Sequence, residues 1–229
     1  GEATRENTTC AQTAGEDTAN SLNFSCTIDM WYWDANTTWN ITAYAEDNAL
    51  ASAQNTTATF DYSSLTAFII SPDTITFNLE TGAENRTSLL NTTLNNTGNV
   101  YISPDNIQVN ATNLRGMSDT SIYFNVANFT ASWNGTTTGN PPGACRGNGT
   151  SLINGTAVNI TGANLTRGNV SLAGIGQEVL YYCIPKVPNL PTQTYATNNS
   201  GAWTIKIALA FIFTPRLRRK KKAKNDKLV

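Results

Sequence analysis

The triplet Asn-x-Ser/Thr, the acceptor pattern for N-linked glycosylation, occurs at seventeen positions in this chain of 229 residues. The 29 Asn and the 49 Ser and Thr residues would give about six such triplets by composition alone. A generic Asn/Thr-rich strand surface is the alternative explanation. An attached sugar is bulky and has to stay at the surface, so the triplets predict a fold that exposes every one of these side chains. The predicted acceptors are Asn7, Asn23, Asn36, Asn40, Asn55, Asn85, Asn91, Asn95, Asn110, Asn128, Asn134, Asn148, Asn154, Asn159, Asn164, Asn169 and Asn198.

Apolar residues recur at every second position along most of the chain, and no segment shows helical periodicity. This pattern predicts an all-β chain, an antiparallel β-sandwich of the immunoglobulin-like or jelly-roll-like kind. Residues 178–184 are apolar on both faces, which predicts a central strand. The predicted strands are 23–34, 38–45, 58–62, 65–70, 74–79, 88–94, 99–102, 107–111, 120–133, 152–160, 169–172, 178–184 and 203–213.

Several local features of this pattern can be tested against a structure. We expect 23–34 and 38–45 to pair around a turn at 34–36, and 46–57 to form a loop or one short helix. The alternation shifts phase between Val126 and Phe129, which predicts a bulge. The predicted organisation is an N-terminal arm (1–22), a sandwich (23–214) with 134–148 as a loop or a subdomain boundary, and a basic tail (215–229).

The C-terminal stretch combines an apolar strand with a cationic tail. Pro215 ends the strand, and the residues from 215 onward carry a net charge of +7 against −8 for the rest of the chain. A membrane-spanning helix would need about 20 apolar residues, so a strand is favoured over an anchor. The charge asymmetry favours head-to-tail attraction between copies or binding of the tail to an acidic surface. The apolar face of the strand comprises Trp203, Ile205, Ile207, Leu209, Phe211 and Phe213.

The four cysteines and the first residue indicate an exported protein. The chain starts at Gly1, so we expect that a secretory signal has been removed. The even cysteine count predicts two disulfides, for which three pairings exist, and no pair has zinc or redox spacing. The sequence-local pairing, Cys10 with Cys26 and Cys145 with Cys183, is the favoured one. We expect an extracellular, cell-surface location.

The residues that usually carry enzyme chemistry are scarce. The chain has no histidine, and it lacks a nucleophile elbow, a phosphate-binding glycine loop and an EF-hand. We therefore expect no enzyme activity, no metal, no cofactor apart from N-linked glycans, and no nucleic-acid partner. Two alternatives stay open. Asp73, Asp105 and Asp119 would be the ligands of a loop calcium site, and Trp31, Trp33 and Trp39 form either a sugar-stacking platform or core packing.

The sequence resembles secreted archaeal cell-surface glycoproteins in the density of its acceptor triplets, in the stretch 96–100 (Asn-Thr-Gly-Asn-Val) before a strand, and in the strand opening 201–205 (Gly-Ala-Trp-Thr-Ile). It looks most like archaeal extracellular filament subunits of the donor-strand type, including those related to bacterial TasA fibres. The resemblance implies a β-sandwich subunit that lends one terminal strand to a neighbour.

The first hypothesis is therefore a subunit of an extracellular filament or pilus, with identical subunits as head-to-tail partners and the basic tail available to acidic envelope polymers. The donor would be Trp203–Phe213 or, as the alternative, the N-terminal arm. A monomeric or lattice-forming envelope glycoprotein (S-layer-like) and a carbohydrate-binding surface module are the other hypotheses.

Overall fold

The computed structural model describes residues 4–15, 18, 21–133, 145, 149–168 and 174–208. Within these residues the chain is all-β, as predicted, and its helical content is a single 3-10 turn at Val126–Asn128. The strands are β1 (Ala11–Gln12), β2 (Phe24–Ser25), β3 (Thr38–Glu46), β4 (Ser52–Asp61), β5 (Phe68–Ser71), β6 (Glu84–Thr87), β7 (Thr92–Asn96), β8 (Ile107–Asn110), β9 (Leu114–Gly116), β10 (Tyr123–Phe124), β11 (Thr130–Ser132), β12 (Thr150–Ser151), β13 (Ala157–Asn159), β14 (Gln177–Lys186), β15 (Tyr195–Ala196) and β16 (Thr204–Ile207).

Strand β14 is the centre of the largest sheet. It pairs antiparallel with β7 along its first half and with β6 along its second half, and with β11 on its other side. Strands β12 and β5 extend this six-stranded sheet outward. Leu180, Tyr182, Cys183 and Ile184 of β14 are all buried. A strand with neighbours on both edges and apolar residues on both faces was predicted here, and that prediction is confirmed.

A second, three-stranded sheet has the order β13-β8-β16. Ile107 and Val109 of β8 belong to the same buried cluster as Leu94 of β7 and Leu180 of β14. The inner faces of the two sheets therefore share one core, which is consistent with a β-sandwich. The remaining small sheets are β10-β9-β15 and the two-stranded pairs β1-β2 and β3-β4.

An aromatic cluster connects the two sheets. The Phe129 ring lies 5.2 Å from the Trp203 ring and 5.5 Å from the Phe77 ring, in both cases nearly edge to face. The Trp203 ring also lies 6.3 Å from the Tyr182 ring, and its Nε1 donates a hydrogen bond to the Thr112 carbonyl at 2.8 Å. Edge-to-face geometry is favourable for aromatic pairs, so the cluster fixes where β16 sits against the core.

The pairing near the N-terminus differs from the prediction. Residues 23–34 and 38–45 do not pair with each other; β3 pairs with β4 instead, from Thr38 opposite Asp61 to Glu46 opposite Ser52. Residues 52–57 thus lie in a strand, so the prediction of a loop or helix across 46–57 is wrong. Almost all residues of this hairpin are exposed on both faces. Alternation alone could not select the partner, because a two-residue period is compatible with any neighbouring strand.

Two further predictions need correction. The phase shift between Val126 and Phe129 is a 3-10 turn capped by the Asn125 side chain, which accepts a hydrogen bond from the Ala127 amide, and it is not a bulge. Residues 99–102 contribute only an isolated bridge at Ile102. The predicted strand at 169–172 lies outside the described residues.

Glycine is required at position 98 because another stretch of backbone passes very close to it. It has no positive φ, but a Cβ atom there would collide with the Leu65 carbonyl oxygen. The flanking Asn96 and Asn99 side chains are buried and bond to backbone groups, and the Asn99 carboxamide oxygen accepts from the Leu65 amide at 2.6 Å. This turn therefore joins two stretches of backbone at close approach.

The two disulfides have the predicted pairing. Cys10 is bonded to Cys26, which joins the ends of the β1-β2 pair, and Cys145 is bonded to Cys183 of β14. In a chain-entropy account, bridges closing loops of this size each stabilise the fold by about 3 kcal/mol.

We expect Trp203→Ala to lower the free energy of unfolding by about 3 kcal/mol, because a large aromatic side chain is removed from a packed cluster. Chemical denaturation measures this value. The matched control is Tyr101→Ala, since that side chain is 52% exposed and should change the value by less than about 0.5 kcal/mol. Equal effects for the two variants would contradict the placement of Trp203 in the core.

Candidate functional site

A groove runs between two extended segments on one side of the core. It encloses a cavity of about 290 Å³. One wall is residues 70–77 and the other is residues 197–205, while Val109, Phe129 and Tyr182 contribute to the floor. The floor is thus formed by the aromatic cluster and by β8, and the groove lies between the two sheets.

One wall of the groove contains an extended segment, and the other is a turn and loop that lead into β16. Residues 74–79 alternate between exposed and half-buried, and Ile75, Phe77 and Leu79 pack on the core. In the described part of the chain, this segment belongs to no sheet, and its backbone takes part in one hydrogen bond, from the Leu89 amide to the Thr76 carbonyl at 2.8 Å. On the opposite wall, β16 pairs with β8 alone among the described strands. An unpaired row of backbone donors and acceptors is a template for another strand.

The floor of the groove is apolar and closely packed. Tyr182 is almost fully buried, and its burial raises the pKa of the phenol to about 12, an effect that a hydrogen bond with the Thr92 side chain partly opposes. The Tyr182 phenol therefore stays neutral at all ordinary pH values. A strand that entered the groove would meet the rings and aliphatic side chains of the floor; the one acidic or basic side chain in the lining is Asp73.

The structure divides the predicted donor strand. The first part of that strand packs within the same chain, where the half-buried side chains are Trp203, Ile205 and Ile207. Ile205 is paired with Val109, and Ile207 with Ile107. These residues form a groove wall in the same chain. Leu209, Phe211, Phe213 and the basic tail lie outside the described residues.

The tryptophans proposed as a platform separate into two groups. The Trp31 and Trp33 rings are stacked, with their centroids 5.1 Å apart and an interplanar angle of 7°, and Trp31 is 48% exposed. Trp39 instead stacks on Phe60 of the hairpin at 6.4 Å. A second cavity of about 290 Å³ lies beside Trp31. The core-packing interpretation therefore does not describe Trp31.

A partly buried ion pair supports the Trp31 turn. The Asp34 carboxylate binds the Arg5 guanidinium and accepts a hydrogen bond from the Trp31 amide at 2.7 Å. Burial by itself raises the pKa of Asp34, but these hydrogen bonds outweigh it and leave the pKa below its ordinary value. Sequence reasoning missed this pair because its members are 29 residues apart and neither belongs to a motif.

Of the acceptor asparagines that the structure describes, eight are exposed and six are half-buried, the latter being Asn7, Asn85, Asn95, Asn110, Asn128 and Asn164. Fourteen of the seventeen lie in described residues and none is buried, whereas Asn134, Asn148 and Asn169 lie outside those residues. Among the described residues the buried asparagines are Asn96 and Asn99, and neither is an acceptor, although Asn96 is the middle residue of the Asn95 triplet. The eight exposed side chains have the surface position that an attached sugar needs.

The alternative calcium site does not form in the part of the chain that the structure describes. Asp73, Asp105 and Asp119, the alternative calcium ligands, are not brought together, and the described residues contain no group of three or more acidic, cysteine or histidine side chains that could hold a metal ion. Asp119 instead accepts hydrogen bonds from Ser121, which lower its pKa. Within the described part of the chain, no helix has both the length and the apolar composition needed to span a bilayer.

Comparison of this chain with protein-family models, with curated proteins and with solved structures gives no match. The candidate site is therefore interpreted from its own geometry.

We expect the Arg5–Asp34 pair to make stability acid-sensitive. Because the folded pKa of Asp34 is lowered, its contribution is present above the ordinary carboxyl pKa of about 3.9 and is lost as pH falls through the folded value. Arg5→Gln should cost about 2 kcal/mol at pH 7, and this cost should shrink as the pH falls below the ordinary carboxyl pKa and Asp34 becomes protonated. Denaturation curves across this range measure the difference. Parallel pH profiles for the native protein and the variant would contradict the assignment.

Proposed function

We propose that this protein is a structural subunit of an extracellular, heavily N-glycosylated filament whose copies join by donor-strand complementation. The observation that carries the proposal is the groove between residues 70–77 and 197–205, which has an apolar floor and two open strand edges. A strand added there would gain main-chain hydrogen bonds from the edges and would place alternate side chains on the floor.

The dimensions of the cavity suit a single strand. A cavity of about 150 Å³ is enough to enclose a benzene molecule, so 290 Å³ provides room for about two large apolar side chains. Alternate residues of a strand are spaced about 6.6 Å apart on the same face, so two such side chains could enter the cavity from one strand. The groove therefore favours a short donor with apolar residues at every second position.

The donor is drawn from one of two segments. Residues 1–9 contain no large apolar side chain, Arg5 is bound to Asp34, and Cys10 is tied to Cys26. The remainder of the predicted donor strand begins after β16 and carries Leu209, Phe211 and Phe213 in alternation. We favour this C-terminal remainder. A contact that passes from the end of one subunit to the groove of the next does not close on itself, so it propagates as a fibre.

The surface chemistry supports an assembly exposed to the environment. Among the described acceptor asparagines Asn198 lines the groove, and glycans on the others would cover polar surface outside it and would oppose lateral aggregation. The charge of −8 on residues 1–214 and +7 on residues 215–229 gives a tail that attracts a neighbouring body or an acidic envelope polymer. The proposed role is structural, with no catalytic step.

Electron microscopy of three forms tests the filament. We expect fibres from the native protein, but none from a chain that ends at Ala208 or from Ala202→Trp, because Ala202 is an exposed lining residue and a tryptophan there would fill the groove. The matched control is Ala49→Trp on the exposed turn between β3 and β4, which should still form fibres.

The outcomes separate the candidate donors. If fibres persist in the shortened chain but vanish in Ala202→Trp, the donor is the N-terminal arm. If Ala202→Trp assembles like the Ala49→Trp control, the groove is not the acceptor. A native protein that forms no fibres at any concentration would contradict the filament proposal and favour a monomeric or lattice-forming envelope glycoprotein.

Glycosylation is tested separately by intact-mass measurement of protein from its native host. We expect Asn36→Gln to lower the mass by one glycan without changing stability, because Asn36 is exposed and lies in an acceptor triplet. Asn78→Gln is the matched control, since Asn78 is exposed but is followed by Leu79 and Glu80, and its mass should not change beyond the substitution itself. A native mass equal to that of the bare polypeptide would refute the modification.

A further inference from the structure

We propose that Trp31 and the cavity beside it form a binding site for a pyranose sugar, supplied by the glycan of Asn7 or by a glycan of another molecule. This site is separate from the groove, and the proposal does not depend on whether filaments form. It rests on an exposed indole held in place by its neighbours and on the polar groups that surround the adjoining cavity.

The Trp31 indole is held rigidly although it is exposed. The Trp33 ring stacks on it, and the edge of the Tyr32 ring lies 4.7 Å from Trp33. The backbone of Trp31 is fixed at both ends, because its amide donates to the Asp34 carboxylate and its carbonyl accepts from the Asp34 amide at 2.9 Å. The Tyr62 hydroxyl also donates to the Trp31 carbonyl, at 3.2 Å. A platform that is already ordered loses little entropy when a ligand binds.

The cavity beside the indole offers the hydrogen-bonding groups that sugars require. Exposed carboxylates of Glu6 and Asp29 and the amide of Asn7 are among its lining side chains. A pyranose ring presents an apolar C–H face that packs on an aromatic ring, and hydroxyl groups around its edge that donate to carboxylates and amides. The guanidinium of Arg5 is already bound to Asp34. The combination suits an uncharged, hydroxyl-rich ligand better than an anion.

Asn7 gives this site a candidate ligand within the same chain. It is an acceptor asparagine that lines the cavity, and its Nδ2 donates to the Thr27 carbonyl at 2.5 Å. Its Oδ1 accepts from the Thr9 amide at 2.7 Å, which orients the side chain. A glycosylated amide nitrogen keeps one hydrogen, so the bond to Thr27 is compatible with modification. A sugar attached there starts at the cavity wall and has a high effective concentration at Trp31.

Saturation-transfer NMR with defined sugars tests the site. The probes are chitotriose, mannotriose and maltotriose, and the first protein is the full chain with its disulfides formed, made in a host that adds no N-glycans. We expect saturable binding of at least one probe. Trp31→Ala should weaken it by at least about tenfold, the factor that corresponds to ~1.4 kcal/mol. Trp133→Ala is the matched control, because Trp133 is also exposed, at 43%, but does not line the cavity.

A second variant keeps the test valid if Trp31→Ala fails to fold. Glu6→Gln combined with Asp29→Asn leaves the aromatic stack intact and should also weaken binding, because the charged acceptors are lost. Absence of saturable binding to all three probes, or equal binding by Trp31→Ala and Trp133→Ala, would overturn the proposal.

The source of the sugar is distinguished by protein from the native host. If the glycan of Asn7 occupies the site, the native protein will not bind the probes and Asn7→Gln from the same host will. If the ligand comes from another molecule, both will bind. Failure of both proteins to bind would overturn the site in the native molecule.

Discussion

The contact between Phe129 and its aromatic neighbours is the interaction on which the described structure depends most. Phe129 is fully buried and lies between Phe77 on one wall of the groove and Trp203 on the other. Trp203 in turn reaches Tyr182 in the central strand of the larger sheet. One cluster therefore joins the two sheets, carries both walls of the groove and forms its floor. A loss of packing here would affect the core and the candidate interface together.

The groove lies between two segments whose backbones do not pair with each other. Residues 74–79 turn their apolar side chains to the core as a strand would, yet the described part of β16 lies on the far side of the cavity. The hydrophobic contacts of both walls are thus largely made, while their facing backbone edges are available to a partner. Under the proposed function, an added strand would form main-chain hydrogen bonds with these edges.

Asparagine occurs in two different environments in the described structure. Asn96 and Asn99, which are not acceptors, are buried and bind backbone groups at a close approach of two segments. The described acceptor asparagines are exposed or half-buried. The same residue type thus serves internal cohesion in one setting and is available for modification in the other. The proposed sugar site at Trp31 would connect the two roles, since Asn7 both bonds to the Thr27 carbonyl and borders the cavity.

Local sequence determined the features that depend on neighbouring residues. The two-residue period predicted an all-β chain, the doubly apolar run 178–184 predicted a central strand, and the spacing of the cysteines favoured the observed disulfides. Tertiary structure decided the rest. Strand β3 pairs with β4 and not with 23–34, because alternation specifies a face but not a partner. The Arg5–Asp34 pair and the walls of the groove join residues that are distant in sequence, and only the folded chain brings them together.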